Sequence, residues 1–153
     1  MTIETEVKTL QKLSMFSNLD IAKLKLVAMI SDRVTFAAGE AIFRAGDPSD
    51  AAYIVLDGSV RIHGEGVIEP ESGINQCGVM LLGEVGILCG RRRSITIVAE
   101  APVTALRIQR EDFLRLIRET PDFGFAVMRE LAEQLDSGTR LLTRHMTHVT
   151  NAK

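Results

Sequence analysis

The chain of 153 residues contains no tryptophan, one tyrosine and only two cysteines, and each shortage excludes a class of protein. Cys77 and Cys89 are too few for a disulfide scaffold or a cysteine-based metal cluster, and their scarcity is typical of a reducing compartment. Because aromatic residues make up 5% of the chain, the core must be built mainly from aliphatic side chains. We therefore expect a cytoplasmic protein of sufficient size to bury a core without covalent cross-links.

The sequence also lacks long apolar runs and an excess of basic charge. No stretch approaches 18 apolar residues, and the acidic, mixed N-terminal segment does not resemble a secretory signal. The formal net charge is −2, whereas binding of nucleic acid requires a concentrated basic face. We accordingly predict that neither a membrane nor a nucleic acid is a partner.

Hydrophobic periodicity divides one predicted domain, residues 1–153, into three zones. Residues 1–32 have apolar positions three and four apart, which predicts two short helices. Residues 33–109 hold all but two of the twelve glycines between short β-rich runs, which is typical of an antiparallel β-roll or jelly roll. Residues 110–149 return to helix, and Pro121 separates a short helix from a longer one. The predicted fold class is mainly β with flanking helices (α+β), with N-terminal helices and a C-terminal helical pair.

Two further segments carry specific predictions. The polar, glycine-containing stretch from Gly64 to Gly78 predicts a loop, and Asp57-Gly58 predicts a hairpin turn. In the last helix a four-three spacing forms a seam that packs either on its own β-roll or on a second copy, which would give a homodimer. The seam consists of Val127, Leu131, Leu135, Gly138, Leu142, His145 and Val149.

The segment from Leu82 to Ile97, LGEVGILCGRRRSITI, predicts an anion site. A strand ends at Leu82, Gly83 permits a tight turn, and one short helical turn follows. The free N–H groups at a helix start attract negative charge, and the glycines at 83 and 86 allow an anion to approach the backbone closely. Arg93, which leads into the next strand, can donate to two phosphate oxygens.

A carboxylate beside this site needs a different partner. Glu84 would repel a bare phosphate, but it suits a sugar hydroxyl, which donates a hydrogen bond to it. A phosphate and a ribose hydroxyl bound together inside an apolar β-roll describe a nucleotide monophosphate.

At these residues the sequence resembles the cyclic nucleotide-binding domains of bacterial regulators, kinase regulatory subunits and gated channels. The phosphate-binding cassette of that family reads roughly Gly-Glu-aliphatic-small-aliphatic, followed after a few residues by Arg-small-small-Thr/Ser-aliphatic. The first part is matched by Gly83, Glu84, Val85, Gly86 and Ile87, and the second by Arg93, Ser94, Ile95, Thr96 and Ile97. The resemblance covers about residues 10–140, which is nearly the whole chain.

The resemblance implies a role for each site residue. Arg93 would pair with the cyclic phosphate, and Ser94 would add a hydroxyl contact to the phosphate or to a syn purine. Glu84 would accept a hydrogen bond from the ribose 2′-hydroxyl. The backbone of three residues would complete the cradle: Gly83, Val85 and Gly86. The base would be enclosed by two strand residues and the last helix: Ile62, Leu82 and the neighbourhood of Gly138-Thr139.

The resemblance thus implies a non-catalytic sensor of a cyclic nucleotide, whose ligand is cAMP or cGMP and which needs no other cofactor. Ser94 in place of threonine, together with a lack of evident polar base readers, favours cAMP. The signal would pass to an unknown protein effector through movement of the C-terminal helix. No DNA-binding, kinase or channel segment follows in the sequence, so we expect a stand-alone receiver or a fragment.

Alternatives remain open at this point. Arg92 stands where the family usually has proline, and Ile95 where a small residue is usual, so the roll could be a degenerate protein-interaction module that no longer binds nucleotide. Glu84 could simply form a salt bridge with Arg93, although an exposed pair is worth only about 0–1 kcal/mol. Cys89 is expected to be a small buried residue.

Ordinary roles are also expected for the remaining charged residues of this region. Arg91 and Arg92 are expected to be solvated surface charges. Of the three histidines, only His63 lies on a predicted strand, so neither a metal site nor an enzyme is predicted.

Overall fold

The structure, a computed structural model, combines β-strands with flanking helices. It describes residues 2–64, 74–77 and 80–151, and for 74–77 and 137–151 it describes the backbone alone. The α-helices are α1 (Ile3–Gln11), α2 (Ile21–Ile30), α3 (Glu84–Cys89), α4 (Arg110–Glu119) and α5 (Pro121–Asn151), and a 3-10 turn spans Ser14–Phe16. The strands are β1 (Asp32–Phe36), β2 (Ala41–Phe43), β3 (Ala51–Asp57), β4 (Ser59–His63), β5 (Ile74–Cys77), β6 (Met80–Leu82), β7 (Thr96–Ala99) and β8 (Val103–Gln109).

The strands form two antiparallel sheets of four strands each. One sheet has the order β1-β8-β3-β6 and the other the order β2-β7-β4-β5. Helices α1 and α2 precede the sheets in the chain, α4 and α5 follow them, and α3 lies between β6 and β7. This arrangement confirms the predicted antiparallel β-roll with flanking helices.

Strand β3 shows how one sheet separates two hydrophobic cores. The first five residues of β3 are all buried, although side chains alternate between the two faces of a strand. Ala52 and Ile54 belong to the core shared with the helices, whereas Tyr53 and Val55 belong to the core inside the roll. A strand buried on both faces reads as a continuous apolar run rather than an alternating one.

Three buried phenyl rings hold the helical elements together. The rings of Phe16 and Phe123 stack with their centroids 5.9 Å apart, and Phe113 meets Phe123 edge to face at 5.8 Å. Each of the three side chains is at most 1% exposed. The 3-10 turn, α4 and α5 are therefore joined at one aromatic contact, which fixes the start of α5 against the domain.

The predicted loop between Gly64 and Gly78 is wrong in part. Residues 74–77 form strand β5, which pairs antiparallel with β4 from Ser59 opposite Cys77 to Ile62 opposite Ile74. β5 stands at the edge of its sheet, where strands carry polar residues, and this polarity is what suggested a loop. The predicted hairpin at Asp57-Gly58 is wrong, because β3 and β4 belong to different sheets. The chain turns at Gly58, with a φ of +111°, and passes from one sheet to the other.

The predicted seam of α5 divides between the two alternatives, packing on its own domain and exposure to a second copy. Val127 is 1% exposed and Leu131 packs against the same helical core, so these two residues contact their own domain. Phe125, Met128 and Leu135 are instead 61%, 59% and 73% exposed. The residue spacing alone could not distinguish these two neighbouring faces of one helix.

No helix in the described part of the chain is both long enough and apolar enough to cross a lipid bilayer.

We predict that Phe123→Ala lowers the free energy of unfolding by about 3–5 kcal/mol, because it leaves a cavity between two other phenyl rings. Urea denaturation followed by circular dichroism measures this loss. Met29→Ala, which truncates a side chain that is 67% exposed, is the control and should change stability by less than about 0.5 kcal/mol. Equal losses in the two variants would contradict the aromatic contact as the anchor of α5.

Candidate functional site

The site begins where the chain leaves β6 and enters α3. Gly83 caps α3 with a left-handed backbone (φ +84°), and Gly90 ends the helix with another (φ +64°). A side chain at position 83 would place its Cβ 2.7 Å from Nη1 of Arg93 and 3.1 Å from the carbonyl oxygen of Ala51. Position 83 therefore requires glycine both for its backbone conformation and for the space that Arg93 occupies.

Arg93 is the central side chain of the site. It is 4% exposed, its Nη1 donates to the carbonyl oxygen of Gly83 at 2.6 Å, and its Nη2 donates to the carbonyl oxygen of Ala51. The guanidinium carbon lies 4.1 Å from the centre of the Phe43 ring, which is the geometry of a cation–π contact. Asp50 approaches Nη2 at 3.9 Å. The guanidinium is thus held between β3, α3 and β2.

The backbone around Arg93 is fixed by a neighbouring turn. The N–H of Arg93 donates to the carbonyl oxygen of Asp47 at 2.9 Å, and the N–H of Gly46 donates to the carbonyl oxygen of Arg93 at 2.8 Å. Strand β7 begins only at Thr96, so Arg93 lies in the irregular connection before the strand. These two bonds hold the backbone of Arg93 against the turn at Gly46-Asp47.

Two buried polar atoms of the site have no hydrogen-bond partner, namely Nε of Arg93 and Oε2 of Glu84. Buried groups of this kind are rare, and each costs about 1–3 kcal/mol of stability. Glu84 is 3% exposed, and no ion pair within 4.0 Å joins it to Arg93 among the described residues. The expected alternative of a simple Glu84–Arg93 salt bridge is therefore wrong. One buried donor and one buried acceptor of the site thus lack a partner in the protein.

Burial determines the ionisation of these two groups. Burial raises the pKa of Glu84 to about 7, and the nearby carboxylate of Glu130 adds to the rise, whereas the backbone N–H of Glu84 and the charge of Arg93 oppose it. Burial also lowers the pKa of Arg93, against the opposing effect of Tyr53 and Asp50. Near neutral pH the carboxyl group of Glu84 is consequently divided between its neutral and ionised forms.

The other residues that were predicted to contact a ligand differ in their exposure. Gly86 lies within α3, where a Cβ would overlap the hydroxyl group of Ser49. Val85 is 49% exposed, and Ser94 is exposed too, so both side chains are open to a ligand or to solvent. Two predicted lining residues, Ile62 and Leu82, belong to the core inside the roll. The predicted contact at Gly138-Thr139 lies on the described backbone of α5, and its side chain lies outside the described residues.

The expected ordinary roles have mixed outcomes. Arg91 and Arg92 are exposed as expected, and Arg92 donates to the carbonyl oxygen of Gly46 at 3.0 Å. The expectation that Cys89 is buried is wrong, because it lies exposed at the end of α3. His63 is buried on β4, and the described residues contain no group of three His, Cys, Asp or Glu side chains that could hold a metal ion.

Sequence reasoning missed four contributors to the site: Phe43, Asp50, the carbonyl of Ala51, and Glu130. Phe43 and Ala51 lie on β2 and β3, and the sequence does not show which strands meet. Glu130 is more than 40 positions from Glu84 in the sequence, and its proximity depends on how α5 packs. Because the first five residues of β3 are all apolar and buried, no signal in the sequence distinguishes Ala51 from its neighbours.

Comparisons with known proteins show the family to which the chain is similar. The family model described as cyclic nucleotide-binding domain matches residues 33–120. A cAMP-dependent protein kinase regulatory subunit of Emericella nidulans is 30% identical over 108 residues, which are 71% of this chain and 26% of that protein. The cGMP-dependent protein kinase egl-4 of Caenorhabditis briggsae is 29% identical over 116 residues, 72% of this chain and 15% of that protein.

Among solved structures, the catabolite activator protein of Thermus thermophilus superposes with a TM-score of 0.73 and 28% identity. This match covers 84% of the chain and 61% of that structure. The chain spans about a quarter or less of the two kinase-related proteins that it matches.

We predict that Gly83→Ala destabilises the protein more than Gly39→Ala. Both glycines have a left-handed backbone, which costs an alanine about 1–2 kcal/mol, but a Cβ at Gly39 meets nothing within 4 Å. At position 83 the Cβ also displaces the buried guanidinium from its carbonyl acceptors, which adds about 1–3 kcal/mol. Urea midpoints of the two variants provide the comparison. Equal losses would show that Arg93 is not confined by this turn.

Proposed function

The chain belongs to the cyclic nucleotide-binding domain family, and we propose that it is a non-catalytic sensor that binds cAMP. The observation that carries the proposal is the pair of buried, unpartnered atoms, Nε of Arg93 and Oε2 of Glu84. A cyclic phosphate presents acceptors to the first, and a ribose 2′-hydroxyl presents a hydrogen-bonding group to the second. The two residues suit the two ends of one sugar–phosphate ring.

The anchoring of Arg93 supports this function. A guanidinium has five N–H donors, and the carbonyl oxygens of Gly83 and Ala51 accept from two different nitrogens. The remaining donors, the Nε–H among them, are available to phosphate oxygens. Because the side chain is already buried and oriented, a ligand need not order it, which favours binding.

Arg93 cannot supply the whole affinity. A charge-assisted hydrogen bond contributes about 1.5–3 kcal/mol, whereas micromolar binding requires about 8 kcal/mol. Burial of the base against Ile62 and Leu82, with Thr139 of α5 above it, would supply much of the rest. We propose cAMP rather than cGMP because Ser94 stands in place of threonine and no polar base reader is evident. The relatives that match the chain include one named for cAMP and one named for cGMP, so their names do not favour either nucleotide.

We further propose that the bound nucleotide favours one placement of α5, and that this helix passes the signal to a protein effector in the cytoplasm. The aromatic contact of Phe123 and the buried Val127 connect the first turns of α5 to the domain. A ligand contact farther along the same helix, at Thr139, would therefore act on a segment with one end already anchored.

The second candidate is a protein-interaction module without a nucleotide. Two observations favour it: the guanidinium of Arg93 already has protein acceptors, and Arg92 replaces the usual proline. In that case Arg93 serves only to join β3 to α3, and no cyclic nucleotide raises the stability of the protein.

We predict that cAMP at a hundredfold excess over its dissociation constant stabilises the protein by about 2.7 kcal/mol, and that Arg93→Ala abolishes this gain. Thermal melting with and without cAMP and cGMP measures it, and circular dichroism establishes that the variant is folded. Arg92→Ala removes a neighbouring exposed arginine and should keep the gain. Absence of a shift with both nucleotides in the wild-type protein would favour the interaction module.

A second copy of the chain is the partner that we propose for the exposed face of α5. Phe125, Met128, Ala132 and Leu135, here called the α5 stripe, are exposed at spacings of three, four and three. The same spacing continues in the sequence at positions 139, 142, 146 and 149, and the helix backbone continues to Asn151. Apolar residues at alternating spacings of three and four are the pattern of a two-helix coiled coil.

We predict that the protein is a dimer at micromolar concentration and that Leu135→Glu converts it to a monomer, since a charge in the seam loses its hydration. Sedimentation velocity distinguishes the two states. Gln134→Glu places the same charge one position away, off the α5 stripe, and should leave the dimer intact. If the wild-type protein remains monomeric at about 100 micromolar, roughly the upper limit for sedimentation velocity, a second copy is excluded as the partner.

A further inference from the structure

A surface cleft beside the end of α3 is rich in positive charge that the proposed nucleotide site does not use. Its volume is about 220 Å³, and three of the residues that line it are exposed arginines: Arg91, Arg92 and Arg110. We propose that this arginine cleft is a second anion site, which binds a phosphate monoester group. Neither Arg93 nor Glu84 lines the cleft, so the inference goes beyond the proposed nucleotide function and does not depend on it.

The balance of charge in the arginine cleft differs from that in three other surface cavities. In each of the three, acidic side chains accompany the arginines: Asp50 and Glu111 beside Arg107 and Arg110, Glu130 and Glu133 beside Arg129, and Glu111, Asp112 and Glu119 beside Arg115 and Arg118. Among the described residues, no Asp or Glu lines the arginine cleft. Three guanidinium groups therefore share one small cavity without a counter-charge in its walls, and like charges at short range repel one another.

The donors of these arginines are largely unused. Within the described part of the chain, neither Arg91 nor Arg110 has a hydrogen bond or an ion pair from its side chain. Arg92 donates from Nη1 to the carbonyl oxygen of Gly46 at 3.0 Å and has no acidic partner among the same residues. Because a guanidinium carries five N–H donors, the cleft can offer several of them to one anion.

Hydrogen bonds of the backbone fix where the arginines of the cleft begin. The hydroxyl group of Ser49 donates to the carbonyl oxygen of Arg91 at 2.6 Å, and the N–H of Arg91 donates to the carbonyl oxygen of Gly86 at 3.0 Å. The N–H of Arg110 donates to the carbonyl oxygen of Asp50 at 2.9 Å. A Cβ at Gly86 would overlap Oγ of Ser49, so glycine at this position lets the loop before β3 approach α3. The fold itself thus brings the three arginines to one cleft.

Size and charge indicate which anion the cleft fits. Pockets for small molecules usually have roughly 300–1,000 Å³, so about 220 Å³ suits a phosphate group rather than a whole nucleotide. A phosphate monoester has three acceptor oxygens and a charge close to about −2 at pH 7, so two or three guanidinium groups can share it. A carboxylate is already satisfied by one. Asp50 and Glu111 line the adjacent cavity and would repel a second phosphate, which disfavours a polyphosphate.

Titration of the full chain with inorganic phosphate tests the site, with chloride used to keep the ionic strength constant. In nitrogen-15 spectra the amide resonances of Ser49, Arg91 and Arg110 should shift together, with a dissociation constant on the order of 1 mM. Arg91→Ala and Arg110→Ala should each weaken binding about tenfold or more, because each removes charge-assisted hydrogen bonds. Arg118→Ala removes an exposed arginine from a different cavity and should leave the affinity unchanged. Circular dichroism establishes that each variant is folded.

Two further probes distinguish the sources of the phosphate group. Glycerol 3-phosphate represents a small phosphate ester, and a short peptide with one phosphoserine represents a phosphorylated protein partner. Both should shift the same amide resonances as inorganic phosphate, and the probe that binds more tightly identifies the source. The same peptide with unmodified serine should cause no shift.

Three results would overturn the inference. The first is the absence of any shift at about 10 mM phosphate, tenfold above the expected dissociation constant. The second is an equal loss of affinity in Arg118→Ala, which would show attraction to positive charge in general. The third is a set of shifts confined to Gly83, Glu84 and Ser94, which would place the anion in the nucleotide site instead. None of these results bears on whether the protein binds cAMP, which the melting experiment decides separately.

Discussion

The burial of one guanidinium is the constraint on which the remainder of this site depends. A charged side chain that is 4% exposed must have its donors satisfied, and the carbonyl oxygens of Gly83 and Ala51 supply that need. The requirement for glycine at position 83, the close approach of α3 to β3 and the position of Phe43 under the charge all follow from it. The loop before β7 is irregular for the same reason, because its backbone bonds to the turn at Asp47 instead of to a strand.

The guanidinium group of Arg93 and the carboxyl group of Glu84 have unequal environments. The proposed recognition of a nucleotide depends on this difference. Arg93 is enclosed by oxygen atoms and an aromatic ring, whereas Oε2 of Glu84 is enclosed without a donor. A site whose polar groups were all satisfied internally would gain little from a ligand. Nε of Arg93 and Oε2 of Glu84 remain unsatisfied within the protein, and the proposed nucleotide would supply a phosphate to the first and a hydroxyl group to the second.

Much of the fold could be predicted from the sequence, since strand and helix signals are local. The glycine-bounded strands, the short helix between Gly83 and Gly90 and the new helix at Pro121 depend on neighbouring residues alone, and the structure contains each of them. The cassette pattern also identified the family. Predictions failed where distant partners decide: the pairing of β5 with β4, the separation of β3 and β4 into different sheets, and the neighbours of Glu84. The positions that meet across the fold, such as Ala51 and Glu130, carry no local signal.

Strand β3 has a consequence for how a disturbance would spread. The carbonyl that accepts from Arg93 belongs to Ala51, and the next residue, Ala52, is packed in the core shared with the helices. A single peptide unit, which is rigid and planar, therefore joins the acceptor of the Arg93 guanidinium to the core that the helices share. A displacement of Arg93 would therefore be transmitted to Ala52, on the opposite face of the sheet, through the backbone alone, without passing through other side chains.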